Sequence, residues 1–329
     1  MPANLPPEYI QEEERYRNAK DKDEKLDALQ EMLALLPNHK GTDKIEADIR
    51  KRISDLKKSP KKEKGPTRAK TPDQIEPQGA GQVVLTGLPN SGKSALLDVT
   101  TNASPKVADF PYSTQGPTIG MLEYEDVQIQ LIDTPPISDD YVETWVYNLI
   151  RKADLVLAIV DASADEPTEE FKRTREHLED EGIYLFHPEA DFQRDAIGRT
   201  NRRGEVILAK SDELANASPP KEIEEISGLP VVPVSILDDE SLSRLGKSIF
   251  EGLLKIRIYT KKPGEEPDME EPYLLDKDST VLEGVRSIHR DMVENLDYIR
   301  IWGSGKYDGQ EVARDHILED GDVIEIHQE

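Results

Sequence analysis

The sequence predicts an α/β fold with a mainly parallel sheet, preceded by a helical segment and followed by a small α+β module. Short apolar runs alternate with helical patterns in the middle of the chain, which is typical of βαβ units. A highly charged stretch with helical spacing precedes them, and a pattern of strand, helix and strands follows them. The expected divisions are residues 1–58, a linker at 59–81, the α/β domain at 82–254 and the last module at 255–329.

Composition and charge exclude several classes of protein. The 329 residues include 42 Lys and Arg against 67 Asp and Glu, a net charge of −25, and no cysteine. The absence of cysteine excludes disulfide scaffolds and thiolate sites. So acidic a chain repels phosphate backbones, so we expect no bulk binding to DNA. No apolar run approaches the roughly 20 residues of a membrane helix, and we therefore expect a cytoplasmic protein without membrane contact. Separately, we expect a monomer.

The first segment is expected to be a small helical hairpin of as many as three helices. Its apolar residues follow helical spacing and the pattern breaks at Pro37–Gly41; they are Leu26, Leu29, Met32, Leu33 and Leu36. Two interpretations stay open with equal weight, namely a helix pair that packs on its own chain and an arm that docks a partner.

The linker is predicted from its composition, because residues 59–81 are rich in Lys, Pro, Gly and Gln without apolar periodicity. Residues 51–70 hold nine Lys and Arg against two acidic residues. Such a basic segment is either a solvated tether or a contact to RNA.

The α/β domain is predicted from five apolar strand candidates, and they are Val83–Thr86, Gln128–Ile132, Leu155–Val160, Val206–Leu208 and Val231–Val234. The last module offers a strand at Ile256–Tyr259, a helix that opens at Asp278-Ser279, a strand at Tyr298–Trp302 and a closing strand at Val323–Ile326. This is the order of elements of a ubiquitin-like β-grasp.

The strongest signal for chemistry is the segment Gly87–Ser94, which matches G-x-x-x-x-G-K-[ST] between a strand and a helical pattern. Such a loop cradles phosphates with backbone N–H groups and a helix amino terminus. Lys93 is expected to bridge the β and γ phosphates, and Ser94 to bind Mg²⁺. The predicted nucleotide contacts in this loop are Gly87, Asn90, Ser91, Gly92, Lys93, Ser94 and Ala95. The alternative is a structural glycine turn.

Two further residues are predicted to act at the phosphates. Asp133 follows the strand Gln128–Ile132 and is expected to hold Mg²⁺ through water. Thr114 lies in the loop Phe110–Pro117, where its hydroxyl can reach Mg²⁺ only while a γ-phosphate is present. This would make the loop a switch. An ordinary loop threonine is the alternative.

Base recognition is predicted at Lys210-Ser211-Asp212, after an apolar strand. A carboxylate at Asp212 can accept two hydrogen bonds from guanine, a pair that adenine cannot donate. Ser235 and Ile236 end the next strand, where a backbone N–H can meet the base.

The order of these motifs resembles the translation-factor-related GTPases and, within them, the Obg-like group. The loop Phe110–Thr114 followed by Pro117 and Gly120 looks like the switch of that group. Residues 256–261, 301–303 and 312–326 are similar to the TGS domain of the developmentally regulated GTP-binding proteins. The resemblance implies a P-loop GTPase that hydrolyses GTP to GDP with Mg²⁺. It also implies contact with ribosomes or RNA through the TGS domain and the amino-terminal arm.

Three positions depart from that family. Ala209 stands where the family has the asparagine of Asn-Lys-x-Asp, so we expect weaker guanine affinity. Pro136 replaces the glycine of Asp-x-Pro-Gly and has no N–H for the γ-phosphate. Ile137 stands where many regulatory GTPases carry a glutamine that positions water. These departures predict slow intrinsic hydrolysis.

Lys93, Thr114 and Asp133 are therefore the predicted catalytic residues. Asn90 stands where potassium-dependent relatives carry an asparagine beside the ion, and the alternative is that it only braces the loop. Two rival functions remain, a degenerate nucleotide-binding scaffold with little hydrolysis and an ATPase on the same fold.

Overall fold

The computed structural model describes residues 9, 12, 15–16, 22–36, 49–53, 71–101, 106–107, 116–139, 141–191, 195–213 and 219–328. The chain divides into two compact units, residues 1–69 and residues 70–329. Each unit has its own apolar core, because the helices or sheets of each unit bury their apolar faces against one another.

The first unit is helical where it is described. Helix α1 spans Lys22–Ala34, and residues 49–53 are helical as well. Leu29, Met32 and Ile49 are buried in one apolar cluster, to which Tyr9 contributes. Helical residues from both sides of the predicted break thus pack together, as a hairpin requires. The break at Pro37–Gly41 itself and most of the basic segment, residues 54–70, lie outside the described residues.

The second unit begins with a nine-stranded, mainly parallel sheet. Its strands are β1 (Gln82–Thr86), β2 (Lys106–Val107), β3 (Thr118–Tyr124), β4 (Val127–Asp133), β5 (Leu155–Asp161), β6 (Ile183–Phe186), β7 (Asp195–Ala196), β8 (Arg199–Ala209) and β9 (Val231–Pro233). The order is β2-β3-β4-β1-β5-β8-β6, with β7 and β9 also paired to β8. The pairs β1–β4, β1–β5, β5–β8, β6–β8 and β8–β9 are parallel.

Helices cover both faces of this sheet. They are α2 (Lys93–Thr100), α3 (Thr144–Lys152), α4 (Pro167–Asp180), α5 (Pro219–Ser227) and α6 (Asp239–Gly252). On one face Leu97 of α2 and Ile249 of α6 pack against the central strands. On the other face Ile150 of α3 and Leu178 of α4 fill a second cluster. The three layers aim the carboxyl ends of β1, β4, β5 and β8 at one edge, where α/β proteins bind ligands.

The last module is a five-stranded sheet with one α-helix on it. The strands are β10 (Lys255–Lys261), β11 (Asp268–Asp276), β12 (Leu296–Trp302), β13 (Gln310–Val312) and β14 (Asp322–Gln328), in the order β11-β10-β14-β12-β13. Helix α7, Val281–Ile288, packs Val281 and Val285 against the sheet. Its N-cap is Thr280, which forms a capping box with Glu283. The helix therefore begins later than the predicted start at Asp278-Ser279, because Thr280 is the residue that has a Glu three positions after it and can form the capping box.

The structure adds strands that the sequence pattern did not reveal. β8 runs over Arg199–Ala209, well beyond the predicted Val206–Leu208, and its first part is polar and pairs with β6 and β7. β11 is mostly exposed and acidic, so it has no apolar alternation to detect. β3 contains Gly120, where a Cβ would lie 2.4 Å from Cγ2 of Thr101, the residue after α2.

The end of the predicted linker packs on the α/β domain. Residues 71–81 are described, and the Ala80 N–H donates to the Gln128 carbonyl at 2.8 Å. Asp73 forms an ion pair of 2.6 Å with Lys152 of α3. These contacts fix where the chain enters β1 and therefore where the loop Gly87–Ser94 begins after it.

Candidate functional site

The loop between β1 and α2 has the backbone geometry that Gly87–Ser94 predicts. Gly87 has a φ of 152° and Gly92 a φ of 97°, values that favour glycine. A Cβ on Gly87 would lie 2.3 Å from the carbonyl oxygen of Ile159 on β5. Asn90 also has a positive φ, 62°, and is exposed at the turn. The loop is thus a tight cradle whose curvature depends on these backbone conformations.

The Lys93 ammonium group is held inside this cradle. Its Nζ donates to the carbonyl oxygens of Leu88 at 2.8 Å and Gly87 at 3.1 Å, and to the Ser91 hydroxyl at 3.2 Å. Only 6% of Lys93 is exposed, and burial lowers its pKa to about 8 even though Asp133 opposes the shift. A buried cation whose partners are neutral oxygens is stabilised by any anion that enters the loop.

Ser94 and Asp133 form the second part of the site. The Ser94 hydroxyl, in the first turn of α2, donates to Asp133 Oδ2 at 2.6 Å. The other carboxylate oxygen, Oδ1, is buried and accepts no hydrogen bond from any residue that the structure describes. Burial raises the pKa of Asp133, against the effects of Ser94 and Lys93. A hydroxyl beside a carboxylate with an orphaned oxygen is an oxygen donor set that fits Mg²⁺.

The segment after β4 is anchored to the loop. The Thr134 hydroxyl donates to the Leu85 carbonyl at 2.8 Å, and the Ile137 N–H donates to the Gly87 carbonyl at 3.0 Å. The Ile137 side chain is fully buried in the cluster that holds Trp145, whereas Pro136 is exposed. Ile137 therefore faces the core and contributes its backbone, not its side chain, to the loop.

The base-recognition segment follows β8. Ala209 is the last residue of β8, and its Cβ would lie 3.1 Å from a Cβ on Gly92. Asp212 lies in a short 3-10 helix, Ser211–Glu213, with its side chain exposed. The residue where an asparagine amide would brace the loop thus touches it with a methyl group only.

Lys210 braces the loop through contacts that the sequence pattern does not predict. Its Nζ pairs with the Asp161 carboxylate at the end of β5 and lies 3.4 Å from the Asn90 carbonyl. Burial alone would raise the pKa of Asp161, but hydrogen bonds from Lys210 and Ser163 outweigh it and hold that pKa below its usual value. The signal in the sequence was Asp161 itself, an acidic residue at the carboxyl end of an otherwise apolar strand.

The strand end near the predicted base contact is partly engaged. The Ser235 N–H donates to the Ser241 hydroxyl at 3.1 Å, and its hydroxyl accepts from the Leu237 N–H at 3.2 Å. Ile236 is 41% exposed, and its N–H has no partner among the residues that the structure describes. Of the two predicted residues, Ile236 is the one with a donor left for a ligand.

The structure brings together Lys93, Ser94 and Asp133 at the carboxyl edge of the sheet, with Asn90 linked to Lys210. Thr114 lies outside the described residues, since the loop 108–115 is not among them. No helix in the described part of the chain is long and apolar enough to cross a membrane.

Comparison with known proteins finds two family models that match parts of the chain. A family model described as "50S ribosome-binding GTPase" matches residues 82–186, and one described as "TGS domain" matches residues 256–328. The first match spans β1 to β6 and includes Gly87–Ser94 and Asp133. The second spans β10 to β14.

Several relatives match most of the chain. An uncharacterized GTP-binding protein of Methanocaldococcus jannaschii is 27% identical over 92% of this chain and 92% of its own length. The developmentally-regulated G-protein 1 of Arabidopsis thaliana is 27% identical over 77% of each chain. The human developmentally-regulated GTP-binding protein 2 is 27% identical over 75% of this chain and 83% of its own. Among solved structures, the G domain of the T. maritima FeoB iron transporter covers 52% of this chain and 97% of its own, at 24% identity and a TM-score of 0.39.

Proposed function

We propose that the chain, which is similar to the GTP-binding proteins that carry a TGS domain and to the developmentally regulated GTP-binding proteins among them, hydrolyses GTP slowly to GDP and phosphate with Mg²⁺. The observation that carries the proposal is the pairing of a buried Lys93 with the Ser94–Asp133 hydrogen bond at one sheet edge. The proposal extends to a switch that acts on a ribosome or an RNA-associated partner.

The phosphates are the natural ligand of the Lys93 cradle. An anion there exchanges the neutral oxygens of Gly87 and Leu88 for a charged partner, which raises the pKa of the ammonium and secures its charge. Lys93 then offsets the negative charge that spreads over the transferred phosphoryl group.

Ser94 would hold the metal through its hydroxyl, and Asp133 through its carboxylate, whose Oδ1 has no partner among the described residues. Mg²⁺ in such a site supplies positive charge to the phosphate oxygens. Thr114 is proposed to add a hydroxyl only in the GTP state. Asn90 is the proposed neighbour of a K⁺ ion.

Slow hydrolysis follows from the segment after β4. The side chain of Ile137 is buried and cannot orient water, and Pro136 offers no N–H. Guanine is proposed to bind through Asp212 with help from the Ile236 N–H, and Ala209 weakens that binding because a methyl group donates no hydrogen bond.

The proposed partner is a ribosome or an RNA-associated protein in the cytoplasm. It is supported by the description of the family that matches residues 82–186 and by the nine Lys and Arg of residues 51–70. The TGS domain and the amino-terminal arm are the proposed contact regions.

Phosphate release from GTP with Mg²⁺, in K⁺ and in Na⁺, tests the proposal. The wild-type chain should release phosphate slowly, and Lys93→Ala should abolish release, whereas contaminating activity would survive that change. Stimulation by added ribosomes would support the partner.

A nucleotide-binding scaffold is the second candidate, favoured by the buried Ile137 and the methyl group of Ala209. It predicts that GDP and GTP bind but that no phosphate is released above the Lys93→Ala background. Release from ATP but not GTP would instead identify an ATPase.

A further inference from the structure

Arg257 of the TGS domain is anchored in the GTPase domain. Its guanidinium group pairs with Glu125 and lies 2.9 Å from Asp126 Oδ1, both in the turn between β3 and β4. The same group is held from its own domain by Asp320, with Nη2 to Oδ2 at 2.6 Å and Nε to Oδ1 at 3.1 Å. Its side chain is only 12% exposed. A guanidinium with three carboxylates is a fixed point between the domains.

A second contact reaches the same turn. The Tyr259 hydroxyl, two residues further along β10, donates to Asp126 Oδ2. Phe250 of α6 lies under Arg257, whose guanidinium carbon is 5.1 Å from the ring centroid, and Phe250 contacts the Tyr124 ring at 5.4 Å. We name Arg257, Tyr259, Asp126, Glu125 and Asp320 the latch.

The latch sits at one end of a hairpin whose other end is the nucleotide site. β3 and β4 are paired antiparallel over seven residue pairs, from Tyr124↔Val127 beside the turn to Thr118↔Asp133. Asp133, the partner of Ser94, thus ends the strand that starts next to Asp126, roughly 23 Å away by the usual strand rise. Residue 118 follows closely after the loop that contains Thr114.

A paired hairpin transmits displacement along its length because its ladder hydrogen bonds resist stretching and slipping. A change in the position of Asp133 when Mg²⁺ and a γ-phosphate bind therefore shifts the turn that carries Asp126. The turn moves with the hairpin because it is a tight two-residue connection, in which Glu125 has a positive φ of 51°.

Resting on the proposed function, we propose that the β3–β4 hairpin couples the nucleotide site to the TGS domain through the latch. The GTP and GDP states hold the TGS domain in two different positions. By reciprocity, a partner bound to the TGS domain changes the relative affinity for GTP and GDP by the same factor.

The chain offers a matched control for this route. Lys277, just before α7, pairs with Glu189 at 2.9 Å, which also joins the TGS and GTPase domains. That pair is exposed and lies off the hairpin. If the hairpin carries the coupling, Lys277→Ala leaves it intact while removing one interdomain ion pair.

The test is a distance measurement between spin labels in the full chain. The sequence has no cysteine, so Ile197→Cys and Tyr307→Cys, which are 107% and 67% exposed, give one label in each domain. Distances are recorded with GDP and with a non-hydrolysable GTP analogue, in the presence of Mg²⁺, and nucleotide binding is measured on the same samples.

We expect the distance distribution to differ between the two nucleotides with the wild-type latch and in Lys277→Ala. Arg257→Met and the milder Tyr259→Phe should merge the two distributions and change the ratio of GTP to GDP affinity by about 5-fold or more. Identical distributions in the wild type, with both nucleotides bound, would overturn the coupling but leave the proposed function standing. A shift that persists in both latch variants would also overturn it. If neither nucleotide binds, the proposed function itself fails and the coupling falls with it.

Discussion

Ser94 and Asp133 are joined by a hydrogen bond of 2.6 Å across the gap between α2 and β4, and the second oxygen of the Asp133 carboxylate is buried without a partner among the described residues. Burial raises the pKa of Asp133. A divalent ion bound to that oxygen would offset the cost of burying the unpaired carboxylate oxygen. This pair is therefore the centre of the proposed site.

Asp133→Asn tests the metal role. The amide keeps the shape but loses the charge, so GDP affinity should lose its dependence on Mg²⁺ and phosphate release should fall about 100-fold or more. Titration of GDP binding with Mg²⁺ measures the first effect. Asp139→Asn is the control, because Asp139 is exposed and pairs with Arg173 and His177. An unchanged Mg²⁺ dependence in Asp133→Asn would contradict the assignment.

The depressed pKa of Lys93 predicts a pH dependence of the ligand-free chain. Its pKa of about 8 lies below the ordinary value of 10.5, so the folded state releases this proton first. The free energy of unfolding is therefore highest above pH 10.5. It decreases by about 3 kcal/mol in total as the pH falls through 8. Urea unfolding of the wild type and Lys93→Met between pH 7.5 and 10 should show this difference.

The affinity for nucleotide should also depend on the protonation of Lys93, but it should fall and not rise as the pH increases. Binding needs the charged ammonium, so GDP affinity should fall by up to about tenfold per pH unit above pH 8. A pH-independent affinity over that range would show that Lys93 is already charged without a ligand.

Glu205 gives a second pH dependence, away from the nucleotide. It is a buried residue of β8 that accepts a hydrogen bond of 2.8 Å from the Ser248 hydroxyl, and burial raises its pKa to about 7. The stability that the protonated form contributes is full below pH 4.5 and is lost as the pH rises through 7. Glu205→Gln should therefore stabilise the chain at pH 8 by up to about 3 kcal/mol. Glu251→Gln, at an exposed position of α6, is the control, and equal effects of both changes would exclude burial as the cause.

The sequence predicted the parts of the site that depend on local patterns. Gly87–Ser94 and Asp133 each follow a buried strand, and parallel strands bring their carboxyl ends to one edge, so their meeting could be inferred without a structure. The pairing of Lys210 with Asp161 could not, because it joins residues 49 positions apart through side-chain geometry alone. The contacts of the latch could not be predicted either, because they also join residues far apart in the sequence through side-chain geometry. β11 was missed because an exposed strand has no apolar alternation.

Ala209→Asn tests what the departure at this position costs. Ala209 lies against Gly92 of the loop, so an asparagine amide there can donate a hydrogen bond to the loop. We expect GDP affinity to rise about tenfold, the effect of one such bond. Ala209→Leu adds bulk without a donor and should weaken binding. A gain in both variants would attribute the effect to packing.

Competition for a fluorescent guanine nucleotide by GDP, GTP and ATP with Mg²⁺ tests the guanine-binding site most directly, in the wild type and in Asp212→Asn. We predict displacement by GDP and GTP but not by ATP, and loss of that preference in Asp212→Asn because the carboxylate no longer accepts two hydrogen bonds from guanine. Displacement of the probe by ATP from the wild type, or a preference that Asp212→Asn leaves unchanged, would contradict the assignment of this chain as a guanine-specific switch.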